Sequence, residues 1–392
     1  MAFNDPNLAF QWQAVAAKIH ASGRQIVIAV TGGGSGAISA LLQTPGASRT
    51  ILEAIVPYSH AALAEWIGAQ PEQACSAATA RAMAMAAFMR ARELSPEVDP
   101  HLLLGIGVTA SLATDRIKRG ERRIHLAVQS ATRTEVHSIS LNDNVAERVV
   151  DEAFSTTTIL WLIARSCGVP AAGMGSTESD HWKDRGEEAS PEWSELLLGR
   201  RRTVFEPAGD HAKVKPAATI VLFPGAFNPP HAGHLSMANI AETRLSAPVK
   251  WELSITNVDK PPLDFISMNE RVEALRKDDS VRQVVLTRAP TFREKSELFP
   301  GATFIVGIDT LLRIADPKYY GGDPAKRDAA IAEIAARGCR FLAFGRVLDG
   351  KFTVLSDLTL PPALAAICDE VPASEFREDI SSTQLRTPPA PQ

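Results

Sequence analysis

The segment Thr219-Ile220-Val221-Leu222-Phe223 is apolar at every position but the first and stops at Pro224-Gly225. A short uninterrupted apolar run bounded in this way suits a strand buried on both faces, and such strands belong to parallel sheets covered by helices. Helix-like spacing follows over residues 235–245, then strand-like 251–256, helix-like 268–276, and strand-like 281–287, 303–307 and 340–344. Strands alternating with helices predict a doubly wound, Rossmann-like parallel sheet for the second half. The first half shows the same alternation. Amphipathic 8–20 precedes an apolar run at 25–30, which ends in the cluster Gly32-Gly33-Gly34-Ser35-Gly36. An alanine-rich helix is expected over 71–93, strands over 102–108 and 124–129, and a helix over 144–166 capped by Asp143. The whole chain therefore reads as α/β, and 392 residues exceed the roughly 150 of one typical domain. Residues 173–216 are charged and without clear periodicity. They are expected to link an α/β domain at 1–172 to a second one at 217–392.

Composition narrows the function classes. Lys plus Arg number 41 and Asp plus Glu 45, a net charge of −4, so no global basic field points to nucleic acid or an anionic membrane. Phosphate recognition would have to be local. Cys75, Cys167, Cys339 and Cys368 are far apart with no CxxC pair, which argues against a disulfide framework or a zinc knuckle. The amino end has no basic region before an apolar core, and no run of about 18 apolar residues occurs, so a soluble, cytoplasmic protein is expected.

The stretch between the central strand and the next helix is Phe223-Pro224-Gly225-Ala226-Phe227-Asn228-Pro229-Pro230-His231-Ala232-Gly233-His234. Ligands of open α/β sheets collect at the carboxyl ends of such strands. Gly225 lets backbone approach a phosphate, and a helix starting near Ala232 offers free N–H groups to an anion. His231 and His234, three apart, can share one side of a helix start. Two imidazoles converging on a phosphate stabilise the charge that develops at phosphorus. Taken alone, the same spacing more often marks a surface pair or a metal-binding pair.

In this context the residues resemble the HxGH nucleotidyltransferase superfamily, and within it the nicotinate and nicotinamide mononucleotide adenylyltransferases. Gly225 to His234 is similar to the family's first motif. Phe304-Ile305-Val306-Gly307-Ile308-Asp309-Thr310-Leu311-Leu312, followed by Tyr319-Tyr320, is similar to the strand and GxD turn that faces the adenosine. Ile380-Ser381-Ser382-Thr383-Gln384-Leu385-Arg386 resembles the ISSTxxR phosphate clamp. The resemblance spans about residues 219–386. It implies transfer of AMP from ATP to a mononucleotide, with pyrophosphate released and Mg²⁺ accompanying ATP, in NAD biosynthesis. Catalytic roles would fall to His231, His234 and Arg386. Nucleotide binding would fall to Gly225, Ala226, Phe227, Asn228, Lys260, Gly307, Asp309, Ser381, Ser382 and Thr383, with no metal site of the protein's own. The chemistry suits the residue types: hydroxyls and amides at a helix start, and a guanidinium fork, all bind phosphate oxygens. Residues 289–296 depart from the segment that helps bind the nicotinate side in the bacterial enzymes. The acceptor, nicotinamide or nicotinate mononucleotide, stays open, as does CTP in place of ATP.

The cluster at 31–36 lacks the GK[ST] of a P-loop and does not fit GxGxxG, so spacing alone gives a strand-to-helix turn. Val30-Thr31-Gly32-Gly33, Leu41-Leu42-Gln43-Thr44-Pro45-Gly46-Ala47-Ser48 and Val56-Pro57-Tyr58-Ser59 resemble the CinA carboxy-terminal domain, whose enzymatic members deamidate nicotinamide mononucleotide. The match covers about residues 8–167. Those members use a serine just before the TGG turn and a lysine shortly after the tyrosine-serine pair. Here the serine slot falls at 30–32 and the lysine slot at Leu63, and leucine cannot act as a base. Ser35 is a displaced candidate nucleophile, with no base visible beside it in sequence. The first domain is expected to be catalytically degenerate, kept for ligand binding, regulation or homo-oligomerisation. Deamidation by this domain and a non-catalytic nucleotide-binding protein are the alternative readings. The expected partners are ATP and a phosphorylated small-molecule acceptor, with no nucleic acid or membrane.

Overall fold

The structure, a computed structural model, describes residues 6–115, 120–141, 147–170, 181–206, 219–258 and 260–377. The chain divides into two compact units, Met1–Leu198 with Asp259–Ser267, and Gly199–Val258 with Met268–Gln392.

The first unit runs α1 (Pro6–His20), β1 (Gln25–Thr31), α2 (Gly36–Leu42), β2 (Ile51–Ile55), α3 (His60–Trp66), α4 (Ala77–Leu94), β3 (Leu103–Ser111), β4 (Arg123–Gln129), β5 (Arg133–Ser140), α5 (Arg148–Ser166), β6 (Trp182–Glu188) and α6 (Pro191–Leu198). Its sheet has the order β2-β1-β3-β4-β5-β6. β1 pairs in parallel with β2 and β3, and the other pairs are antiparallel. On one face Ile26, Ile28 and Val30 of β1 pack with α1, α2 and α5. On the other, Ala29 meets Leu63, Ile67 and Met83. The alanines of α4 and two strand glycines form one packing device. A Cβ on Gly105 would stand 2.1 Å from the main-chain oxygen of Ala84, and one on Gly107 2.3 Å from that of Ala80. Only glycine lets helix backbone lie that close to β3. The segment Asp259–Ser267 is built into this unit: Phe265 and Ile266 are fully buried, Asp264 pairs with Arg81 at 3.2 Å, and the Phe265 N–H donates to Thr134 Oγ1 at 3.0 Å.

The stretch expected as a linker carries structure. β6 continues the sheet beside β5, and α6 buries Trp193, Leu196, Leu197 and Leu198. The cause of the misreading is physical. β6 is an edge strand, mostly exposed, and charged residues on an edge keep it from pairing with other chains while erasing any hydrophobic period. The expected cap Asp143 lies outside the described residues, and α5 starts after Glu147.

The second unit runs β7 (Thr203–Glu206), β8 (Ile220–Pro224), α7 (Ala232–Leu245), β9 (Val249–Ser254), α8 (Phe265–Arg276), β10 (Val284–Thr287), α9 (Phe292–Leu298), β11 (Ala302–Gly307), α10 (Ile308–Ala315), α11 (Pro324–Ala336), β12 (Arg340–Phe344), β13 (Arg346–Leu348), β14 (Lys351–Thr353), α12 (Pro362–Ala365) and β15 (Cys368–Val371). The first turn of α8 counts with the first unit. The sheet order is β15-β12-β11-β8-β9-β10-β7. β7 is antiparallel to β10, and every other pair is parallel. With β8 as the first parallel strand, this is the 3-2-1-4-5-6 order of dinucleotide-binding doubly wound sheets, extended by one antiparallel edge strand. The strand order reverses between β8 and β11, and in such sheets the ligand crevice lies outside the carboxyl ends of the strands at that reversal. The core on one face is built on Leu222, Phe304, Phe341 and Ala343 with Leu311, Ile331 and Ile334.

Candidate active site

Two of the three sequence motifs fall on either side of that reversal. β8 ends at Pro224, and the Gly225 N–H donates to the main-chain oxygen of Glu252 on β9 at 3.0 Å. A Cβ on Gly225 would lie 2.5 Å from the ring of Phe227, so this glycine is demanded by a side chain of its own loop. Phe227 has φ 45° and is 2% exposed. Its ring stands 5.4 Å from Phe223, 5.0 Å from Trp251 and 5.2 Å from His234. A left-handed non-glycine residue is strained, and the buried aromatic cluster offsets the cost. Phe227, expected among the nucleotide-binding residues, therefore uses its ring as the floor of the loop. Ala226 and Asn228 are exposed, and the Ala226 carbonyl accepts from Arg271 Nη1 at 3.2 Å.

His231 is the N-cap of α7 and His234 lies in its first turn. Their rings stack with centroids 3.7 Å apart and planes at 27°. The main-chain N–H of His231 donates to His234 Nδ1 at 3.2 Å. With Nδ1 accepting, the proton of a neutral His234 sits on Nε2. Burial, then the neighbouring His231 and Arg346, push the His234 pKa down to about 3. His234 is thus a neutral hydrogen-bond donor of fixed tautomer near neutral pH.

Across the crevice, Gly307 caps α10, and a Cβ there would lie 2.5 Å from Asp309 Oδ1. The Asp309 side chain folds back over the turn and pairs with Arg346 at 3.2 Å. Asp309, expected to serve the nucleotide directly, is held by a cation that the sequence reading missed. Arg346 follows Gly345 just past the apolar β12, and a charged residue at the carboxyl end of a parallel strand is the signal that could have singled it out. Lys260 is exposed and lies in the segment grouped with the first unit. Ser381, Ser382, Thr383 and Arg386 lie outside the described residues.

The first unit holds a cavity of about 780 Å³ lined by Trp12, Gly32, Ser35, Tyr58, Arg148 and Glu152, among others. Glu152 Oε1 accepts from the N–H groups of Gly34 and Ser35 at 2.8 and 2.9 Å and from Ser35 Oγ at 3.2 Å. The amides of the glycine turn are therefore already occupied by a carboxylate of α5. Leu63, at the expected lysine slot, is 2% exposed and packs in the core beside Ala29. Sequence reading found no base near Ser35. The neighbouring carboxylate is 117 residues away, and nothing local announces it.

Residues 222–387 match the cytidylyltransferase-like family. The chain is 31% identical over 185 residues to the "Putative nicotinamide mononucleotide adenylyltransferase" of Schizosaccharomyces pombe, covering 43% of this chain and 69% of the relative. It is 29% identical over 180 residues to the "Probable nicotinate-nucleotide adenylyltransferase" of Gloeobacter violaceus, covering 42% of this chain and 81% of that one. Among solved structures it is similar to a competence/damage-inducible protein of Agrobacterium tumefaciens, at 19% identity and TM-score 0.35 over 42% of this chain and 99% of that chain. A competence damage-inducible protein A of Klebsiella pneumoniae gives 15% identity and TM-score 0.32 over 40% and 95%. Fold and site together define a nucleotidyltransferase of the cytidylyltransferase-like class. Within that class, the chain belongs to the mononucleotide adenylyltransferase family represented by the Schizosaccharomyces pombe relative. Among the described residues no helix is long and apolar enough to cross a membrane.

Proposed function

We propose that this enzyme transfers AMP from ATP to nicotinamide or nicotinate mononucleotide. The observation that carries the reading is the stacked His231–His234 pair, 3.7 Å between rings, at the reversal of a doubly wound sheet with the Gly307–Asp309 turn across the crevice. A phosphate oxygen of the acceptor attacks the α-phosphorus of ATP in line, the bond from that phosphorus to the bridging oxygen breaks, and pyrophosphate leaves. No covalent intermediate on the enzyme is required. His234, neutral and protonated on Nε2, donates to the oxygens where negative charge builds up, and stays uncharged while doing so. The N–H groups at the start of α7 add partial positive charge in the same place. Ser381, Ser382, Thr383 and Arg386 are assigned to the triphosphate on their residue types and on the resemblance. Mg²⁺ enters with ATP as part of the substrate and screens the triphosphate charge, with phosphate oxygens and water supplying most of its ligands.

The test is to incubate the full chain with Mg²⁺, ATP or CTP, and each mononucleotide, with pyrophosphate release followed and the product identified by mass. A dinucleotide with ATP that is lost in His234→Ala supports the reading, and no turnover with either mononucleotide refutes it. For the first unit we propose binding without deamidation, because the lysine slot is a buried leucine and the Ser35 hydroxyl is tied to Glu152. Ammonia release from nicotinamide mononucleotide by the full chain would overturn that assignment.

A further inference from the structure

A second charged cluster in the second unit is buried and takes no part in the chemistry described above. Glu252 on β9 is 1% exposed and Lys295 on α9 is 5%. Lys295 Nζ lies 2.8 Å from both carboxylate oxygens of Glu252 and donates to the main-chain oxygen of Ala289 at 2.7 Å. Thr287, at the end of β10, donates its hydroxyl to Glu252 and accepts from the Ala289 N–H at 3.3 Å. Three acceptors thus face the three protons of the ammonium.

A buried ion pair is an inefficient source of stability, because desolvating two charges offsets most of their attraction and apolar residues of similar volume often do as well or better. What the pair supplies is direction. The ammonium fixes where the Ala289 carbonyl stands, and Ala289 belongs to the loop 288–291 that joins β10 to α9 at the carboxyl edge of the sheet. Glu252 is also the residue whose main-chain oxygen receives the Gly225 N–H at 3.0 Å. One strand residue therefore ties the loop after β10 to the loop that carries His231 and His234.

In a doubly wound sheet the two halves of a dinucleotide lie on opposite sides of the strand-order reversal. The Gly307–Asp309 turn lies on the β11 side, and the loop 288–291 lies on the β8-β9-β10 side. We propose that Glu252 and Lys295 are positioning residues for the acceptor: through Ala289 they hold the 288–291 edge in register with the histidine loop, and so set the acceptor site without touching substrate. The assignment rests on the functional reading given above.

The informative variant is Glu252→Leu with Lys295→Met, since either change alone strands a buried charge and threatens the fold. Thermal unfolding of the full chain checks folding, and Glu252→Gln with Lys295→Met, which keeps the shape of the Glu252 side chain without leaving a buried charge, serves if the first variant fails to fold. The expected result is an acceptor KM raised about tenfold, equivalent to roughly 1.4 kcal/mol, with the KM for ATP within about twofold. Amide hydrogen exchange without substrate should quicken across 288–291, relative to the parent, while 225–234 is unchanged, as loss of a local tie requires. A folded variant with unchanged exchange and unchanged acceptor KM overturns the proposal, as does an equal rise in both KM values. If the parent chain transfers nothing to any mononucleotide, the functional reading fails on its own. The exchange comparison still decides whether the pair holds the loop.

Discussion

Acidification should weaken the second unit before it charges His234. Burial and the neighbouring His231 and Arg346 hold the His234 pKa at about 3, against 6.5 for a free imidazole. As the pH falls below that free value, the unfolded chain takes up a proton that the folded chain refuses, so stability declines until the folded pKa is reached and is flat above neutrality. Between about pH 8 and about pH 5 the loss from this one group is roughly 2 kcal/mol, or 1.5 pH units at about 1.36 kcal/mol each. Urea unfolding followed by tryptophan fluorescence measures it. Trp251 is the one tryptophan in the second unit's sequence and is 1% exposed beside Phe227. His234→Asn keeps an acceptor near the Nδ1 position but cannot be charged, so the parent and variant curves should diverge by about 2 kcal/mol over that range. Other groups, such as His125 of the first unit, which burial pushes down to about 4, contribute equally to both proteins and cancel in the difference. Equal pH slopes in the two proteins would refute the reasoning, as would a His234 imidazole resonance that titrates between about pH 6 and 7, its ordinary range.

Gly225→Ala should place a methyl 2.5 Å from the Phe227 ring, costing about 1–3 kcal/mol as overpacking does and abolishing pyrophosphate release, both measurable on the purified protein. Asp309→Asn should free Arg346 from its 3.2 Å pairing and raise the KM for ATP more than the KM for the acceptor in the same assay. Glu152→Ala should leave the Gly34 and Ser35 amides without their carboxylate. Loss of two hydrogen bonds to a charged group, weakened by the part-exposed setting of Glu152, predicts about 2–3 kcal/mol of lost stability in the first unit, seen by thermal unfolding, with pyrophosphate release retained. Gly107→Val should be the most disruptive change in the first unit, because the new side chain meets the main-chain oxygen of Ala80 at 2.3 Å and neither backbone can move aside. Its measure is the yield of soluble folded chain and its circular dichroism.

The α/β class, and the parallel strands β8, β9, β11 and β12 with the helix between β8 and β9, were legible because short apolar runs and 3.6-residue spacing are local properties of buried strands and covering helices. β6 was not, since an antiparallel edge strand that faces water carries Lys, Asp, Arg and Glu with little apolar content, and its strand character comes from neighbours remote in sequence. The site divides along the same line. His231 and His234 were legible as a pair because three residues at a helix start bring two rings together whatever the rest of the chain does. What governs those residues was not, because each control arrives from another strand. Arg346 comes from beyond β12 to hold Asp309, Glu252 anchors Gly225 from β9, and Glu152 reaches the first unit's glycine turn from α5. The glycine turn makes the consequence concrete. Four glycines in six residues suggest a cradle for a bound anion, yet Cβ atoms there would strike Ala110, Leu112, Ile159 and Thr156, and the amides at Gly34 and Ser35 are satisfied from within. The same sequence signal can therefore mark close packing around an internal carboxylate, and only the partner that occupies the amides tells the two cases apart.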